Sequence, residues 1–286
     1  MADIVWQRFG NVPNYCEPFF GSGAVLLERP HRGQTETVND RDCFVANFWR
    51  ALQADPEAVA RYADNPVNEA DQHARHLWLT QQTDWAERMK TEPEFYDAKV
   101  AGWWVWGQCI WIGSGWCSGL RQRPHLANAG MACIASDLTS RTESRAHLLA
   151  YMQKLAERLR TVRVCCGDWS RICGPSATVM LGITGVFLDP PYPDKSERTH
   201  GLYAVDDGRV AHAVAEWAAE WGADPRMRIA LCGYEGDHEM PDSWECVPWK
   251  ARGGYGSQGD AEGRGRKNSG RERIWFSPHC LRTTLF

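Results

Sequence analysis

Two short segments of the 286-residue chain combine residue types that could do chemistry. Asp189-Pro190-Pro191-Tyr192 ends the apolar run Val186–Leu188. Two consecutive prolines stop a strand and remove two backbone donors. What remains is rich in acceptors: the Asp189 carboxylate and the Pro190 carbonyl, with an aromatic ring beside them. That set suits an amino group held by its two protons while a planar ring stacks on Tyr192. The plainer reading is a proline-rich strand exit, although an uncompensated carboxylate at a central strand end adds little to a scaffold. The other segment is Glu17-Pro18-Phe19-Phe20-Gly21-Ser22-Gly23. Glycines just after a first strand allow a sharp turn and close approach of a ligand, and the helix that follows offers free N–H groups. In an open α/β sheet such a turn is where a nucleotide-like cofactor sits. Asp40, about twenty residues on, then stands where ribose hydroxyls need an acceptor. Its plainer role is to cap the helix beginning near Asp42.

The elements that must position these segments are legible in the hydrophobic pattern. Asn14–Glu17 reads as a first strand leading into the glycine turn, and AVLLERP begins helical and ends at Pro30. Glu36–Asn39 reads as a second strand, and Asp42–Ala54 as an amphipathic helix with Phe44, Phe48 and Leu52 on one face. Strand, helix, strand, helix indicates a parallel α/β sheet. Residues 56–144 break that rhythm with polar helical sequence, a tryptophan-rich stretch and a Gly/Pro-punctuated region, and read as a largely helical insertion. The rhythm resumes with a helix at Arg145–Arg160, strands at Val162–Asp168 and Val186–Leu188, a helix at Asp206–Trp221 and a strand at Met227–Tyr234. Two more strands, Trp244–Lys250 and Arg273–Ser277, flank a glycine- and charge-rich loop. The expected organisation is therefore one α/β domain in two parts, residues 1–55 and 145–286, around the insertion at 56–144.

Together the two segments resemble the Dam-like group of adenine-specific DNA methyltransferases. EPFFGSG looks like that family's cofactor motif F-x-G-x-G, DPPY is its catalytic motif, and the order of the two matches, with a long variable region between them. The resemblance implies a Rossmann-like class I methyltransferase fold with a mostly parallel central sheet. The methyl donor would be S-adenosylmethionine, lined by Pro18, Phe19, Phe20, Gly21 and Gly23, with Glu17 near its methionyl end and Asp40 at the ribose. Asp168 would meet the cofactor's adenine amino group and Trp169 would cover that ring; Asp168 reads otherwise as the cap of a short turn. Asp189, Pro190, Pro191 and Tyr192 would act on an adenine flipped out of the duplex. The insertion would carry target recognition, with Arg121 and Arg123 as candidate phosphate contacts. Family members usually carry a Gly- and Lys-containing segment ahead of the first helix; here Met1-Ala2-Asp3 already resembles the start of that helix.

Composition sets the remaining bounds. Hydrophobic residues make up 43%, enough for a sizeable core, and the net charge of −4 leaves nucleic-acid contact to local arginine clusters. Eleven cysteines form no C-x-x-C pair, so reduced, mostly buried thiols are expected rather than a zinc site. No apolar run approaches the ~20 residues of a membrane span. A cytoplasmic enzyme of a bacterium or phage is expected, with no metal and no membrane, and a restriction partner is left open. The competing readings are a cytosine-N4 methyltransferase, where Ser more often replaces Asp189, and a catalytically inactive DNA-binding relative. An RNA or protein amide methyltransferase would more often begin the motif with Asn. A nicotinamide dehydrogenase lacks support because the third glycine of its fingerprint is missing. Trp103, Trp104, Trp106, Trp111 and Trp116 read as packing rather than a base-stacking platform.

Overall fold

A computed structural model describes residues 1–31, 34–82, 84–92, 94–112, 116–117, 125–126, 141–191, 208–249 and 270–282. Its contacts divide the described residues into two compact units: residues 1–41 with those from 165 onward, and residues 42–164.

The first unit is built on a seven-stranded sheet of order β5-β2-β1-β6-β7-β9-β8. Its strands are β1 (Asn14–Glu17), β2 (Thr35–Asp40), β5 (Arg163–Cys166), β6 (Thr184–Leu188), β7 (Met227–Tyr234), β8 (Glu245–Pro248) and β9 (Glu272–Phe276). Strands β2, β1, β6 and β7 run parallel, and β9 and β8 add an antiparallel edge. Every residue of β1 and of β6 is buried; in β6 this gives the unbroken apolar run Val186–Leu188, whereas β1 buries the polar Asn14 and Glu17 as well. Val186, Leu188, Ile229 and Leu231 meet Cys16, Trp275 and the inward face of α9 (Gly208–Trp221), through Val214 and Ala218, in one core. The chain winds one way from β1 to β2 and the other way from β6 to β7. The strand order therefore reverses between β1 and β6, and an open α/β sheet binds its ligand outside the carboxyl ends at such a point. The Rossmann-like, mostly parallel sheet expected from sequence is present.

Beside β1, α1 (Ala2–Phe9) buries Trp6 and Phe9 against Tyr15. A short helix, α2 (Ala24–Leu27), follows the glycine turn. Arg29, just after it, is sealed inside: it pairs with Glu36 of β2 at 3.0 Å and lies over the rings of Trp6 and Tyr15.

The second unit is helical: α3 (Cys43–Ala54), α4 (Pro56–Ala63), α5 (Glu69–Gln81), α6 (Trp85–Thr91), α7 (Ala98–Ile110) and α8 (Arg141–Leu159), with a small pairing of β3 (Trp111–Ile112) and β4 (His125–Leu126). Asp42, Asp55, Asn68 and Asp97 cap α3, α4, α5 and α7 through side-chain oxygens, the preferred residue types for orphan N–H groups. Asn47 of α3 locks Asp97 with both its amide groups, donating to the carbonyl and accepting from the N–H, each at 2.9 Å. By contacts, the unit boundaries fall at 41/42 and 164/165. The physical reason is packing: α3 and α8 lie against each other and against α7 and α4 respectively.

The tryptophan-rich stretch forms most of α7, a helix apolar on every side and so suited to an interior. Trp104, Trp106, Trp111 and Trp116 are buried and Trp103 is half-buried. The His76 ring lies beside both Trp111 and Trp116, and Trp116 donates its indole N–H to the Trp104 carbonyl. Packing is the role these rings fill.

Candidate active site

The parallel register brings three carboxylates to the carboxyl ends of three adjacent strands. Glu17 ends β1 and lies level with Val38 of β2, Asp40 ends β2, and Asp189 follows the last residue of β6. The turn after β1 needs its glycines for geometry: Gly21 has φ +45° and Gly23 φ +67°. A Cβ on Gly23 would also lie 2.7 Å from the Phe20 ring, so this position excludes a side chain twice over. Asp40 is tied to this turn, accepting the Gly21 N–H at 2.9 Å, while the Phe20 N–H donates to the Asn39 carbonyl. Asn39 holds two neighbouring loops together, donating its amide to the Pro18 and Gly167 carbonyls. The cap of α3 is Asp42, which accepts from Phe44 N–H; Asp40 is engaged with the glycine turn.

Asp168 caps a 3-10 turn over Trp169–Ile172, accepting from both the N–H and the hydroxyl of Ser170. Those bonds, with help from Arg41, hold its carboxyl below the usual range. The ring of Trp169 lies nearly parallel to that of Phe19, with centroids 6.4 Å apart, so the glycine turn and the Asp168 turn present facing aromatic surfaces.

The electrostatics of the strand ends are unusual. Glu17 is only 2% exposed, and its carboxyl is pushed up to about 8. Burial is the largest cause, and the negative fields of Asp189 and Asp40 add to it. The Tyr15 hydroxyl, donating at 2.8 Å, and the Leu26 N–H oppose the rise. Burial and the carboxylates Asp189, Glu272 and Glu17 also push the Cys232 thiol well up. Among the described residues, such a site is short of positive charge. A cation, or an amino group gaining charge during a reaction, would find acceptors already in place.

Residues 4–101 match the family model of D12 class N6 adenine-specific DNA methyltransferases. Over these residues the chain is similar to that family. That family methylates the N6 amino group of adenine in DNA, which favours the adenine reading over the cytosine one. Methyltransferases of this kind generally use S-adenosylmethionine. No curated protein matches the chain.

The matched stretch contains Glu17, the glycine turn and Asp40; Asp168 and Asp189 lie beyond it. Glu17, Pro18, Phe19, Phe20, Gly21, Gly23, Asp40, Asp168, Trp169, Asp189, Pro190 and Pro191 all lie in the sheet unit. Pro190 is buried, and Asp189 and Pro191 are partly exposed. Tyr192, Arg121 and Arg123 lie outside the described residues. Among the described residues no group of three or more His, Cys, Asp or Glu is placed to hold a metal ion, and no helix is long and apolar enough to cross a membrane. Half of the ten described cysteines are buried, and all ten are free thiols. Two site residues went unread in the sequence, Tyr15 and Asn39. Tyr15 stands two residues before Glu17, a spacing that places side chains on one strand face, and that was the available signal. Asn39 offered none, because its partners come from two distant loops.

Proposed function

We propose that the chain methylates adenine with S-adenosylmethionine held at the carboxyl ends of β1 and β2, and that Asp189 and Pro190 orient the target amine. The observation that carries this is the set Glu17, Asp40 and Asp189 on adjacent strand ends beside a left-handed glycine turn. The donor set fits the cofactor: carboxylates for an ammonium and a sulfonium charge, an acceptor for ribose hydroxyls, and the Phe19 and Trp169 rings for a purine. When bound, S-adenosylmethionine supplies an electrophilic methyl carbon on positively charged sulfur.

The protein's own task is to make a poor nucleophile attack. The N6 lone pair of adenine is delocalised into its ring. Hydrogen bonds from the two N6 protons to the Asp189 carboxylate and the Pro190 carbonyl favour a more tetrahedral nitrogen with a localised lone pair. The same acceptors stabilise the positive charge that grows on nitrogen. Glu17 and Asp40 fix the donor side, so attack becomes a matter of alignment. A base inside a duplex cannot reach this edge of a sheet, so the adenine is flipped out, with Tyr192 assigned to stack on it. The helices of residues 56–144 are assigned to target recognition. Calorimetric titration with S-adenosylmethionine tests the pocket: binding to the wild type, weakened by Asp40→Ala, is expected, and no binding by the wild type would refute the assignment.

A further inference from the structure

We propose that Tyr15 is a positioning residue for the methyl-transfer site: its hydroxyl grips Glu17 from within β1 and fixes that carboxyl in the orientation that meets the cofactor's positive charge. The inference rests on the reading that the cofactor binds beside Glu17. Tyr15 lies outside the glycine motif and has no part in the chemistry assigned above.

The geometry leaves Tyr15 little freedom. It is fully buried, with its ring centroid 4.9 Å from that of Trp6 and 6.3 Å from that of Phe9, and the Arg29 guanidinium 5.9 Å away. A ring so enclosed delivers its hydroxyl to one place, 2.8 Å from Glu17 Oε2. Burial, reinforced by the Glu17 charge, keeps that hydroxyl protonated by pushing it well above the ordinary tyrosine value, so it is the donor. The groups around Glu17 are Tyr15 on its own strand, the Leu26 N–H of α2, Asp40 at the end of β2 and Asp189 after β6; Cys232 of β7 feels its charge as well. Of the influences that favour the charged carboxylate, the Tyr15 hydroxyl is the largest. The hydroxyl therefore does two things: it aims the carboxyl, and it sets how readily Glu17 gives up its proton. An arriving cation should drive that proton to solvent near neutral pH, so cofactor binding and proton release are linked.

The test is isothermal titration of S-adenosylmethionine into wild type, Tyr15→Phe, Glu17→Gln and the double variant, from pH 6 to pH 9, in buffers of different ionisation enthalpy. The wild type is expected to release a proton on binding at pH 7, and Glu17→Gln to lose that release. Tyr15→Phe keeps the ring and its packing. It should bind about ten- to a hundredfold more weakly at pH 7, as expected for a lost hydrogen bond to a charged group. Its deficit should narrow toward pH 9, and its half-point for proton release should move to higher pH. In the Glu17→Gln background, removing the hydroxyl should leave affinity unchanged. A Tyr15→Phe loss that is equal at every pH, or equal with and without Glu17, would show that Tyr15 only packs. Absence of binding by the wild type would overturn the proposed cofactor site, and the inference with it, whereas wild-type binding without these Tyr15 effects overturns the inference alone.

Discussion

The raised Glu17 carboxyl makes a prediction about stability that needs no ligand. Its folded value near 8 stands about 3.5 pH units above the ordinary 4.5. Because the folded value is the higher one, the folded state binds the extra proton between those limits. Stability from this group is therefore fully present below about pH 4.5 and is lost as pH rises through 8. At 1.36 kcal/mol per pH unit, the ceiling on the loss is about 5 kcal/mol. Glutamine has nearly the same shape and cannot titrate, so Glu17→Gln should lack this fall. Other groups slope too: buried His238, held below its ordinary value, opposes the fall under pH 6.5, and the raised thiols add to it in alkali. The difference between the two proteins removes those shared slopes. Urea denaturation followed by circular dichroism at pH 5, 6, 7, 8 and 9, without cofactor, gives that difference directly. The variant should gain on the wild type steadily from pH 5 to 8 and by several kcal/mol in all. Parallel pH profiles would mean that Glu17 ionises normally and that the strand ends are not short of positive charge.

Three further outcomes follow from the same geometry. Asp40→Ala should weaken S-adenosylmethionine binding by about 1–3 kcal/mol, because the Gly21 N–H loses its acceptor and the ribose its partner; an unchanged calorimetric constant would remove Asp40 from the site. Arg29→Ala should destabilise the fold by about 3–5 kcal/mol in urea titrations, since it strands the buried Glu36 charge, and a cost under about 1 kcal/mol would show that the pair is not sealed from water. Tyr192→Phe should turn over almost as well as wild type and Tyr192→Ala should not, because stacking needs the ring; equal activity of the two variants in single-turnover assays would exclude a stacking role.

What the sequence made legible follows from which interactions are local. Strands β6 and β7 are buried on both faces, so their apolar runs stood out between turn residues, and the EPFFGSG turn announced itself, and β1 before it, by its glycines. The cap at Asp168 was similarly readable, being a contact over two residues, whereas the cap of α3 is Asp42 and not Asp40, the cap weighed from sequence. The Asp40 carboxylate was legible as an acid at a strand end, but its bond to Gly21 depends on the β1–β2 register. The raised Glu17 carboxyl could not be read at all. It arises from burial and from Asp189, 172 residues away in the chain, brought near only because β6 pairs with β1. The placement of α3 and α8 with the inserted helices was hidden for the same reason. Each is an ordinary amphipathic helix whose partner is decided by tertiary packing.

The central claim is that Asp189 acts on the N6 amine of adenine. Unmethylated DNA, incubated with S-adenosylmethionine and protein and then digested, reports this through nucleoside mass spectrometry. The wild type should yield N6-methyladenine and no N4-methylcytosine. Asp189→Ala should bind the cofactor close to normally yet form product about a hundred- to a thousandfold more slowly, the usual cost of removing one preorganised transition-state partner, with Asp189→Asn between the two. N6-methyladenine formed at near-normal rate by Asp189→Ala, with cofactor and DNA saturating, would contradict the account.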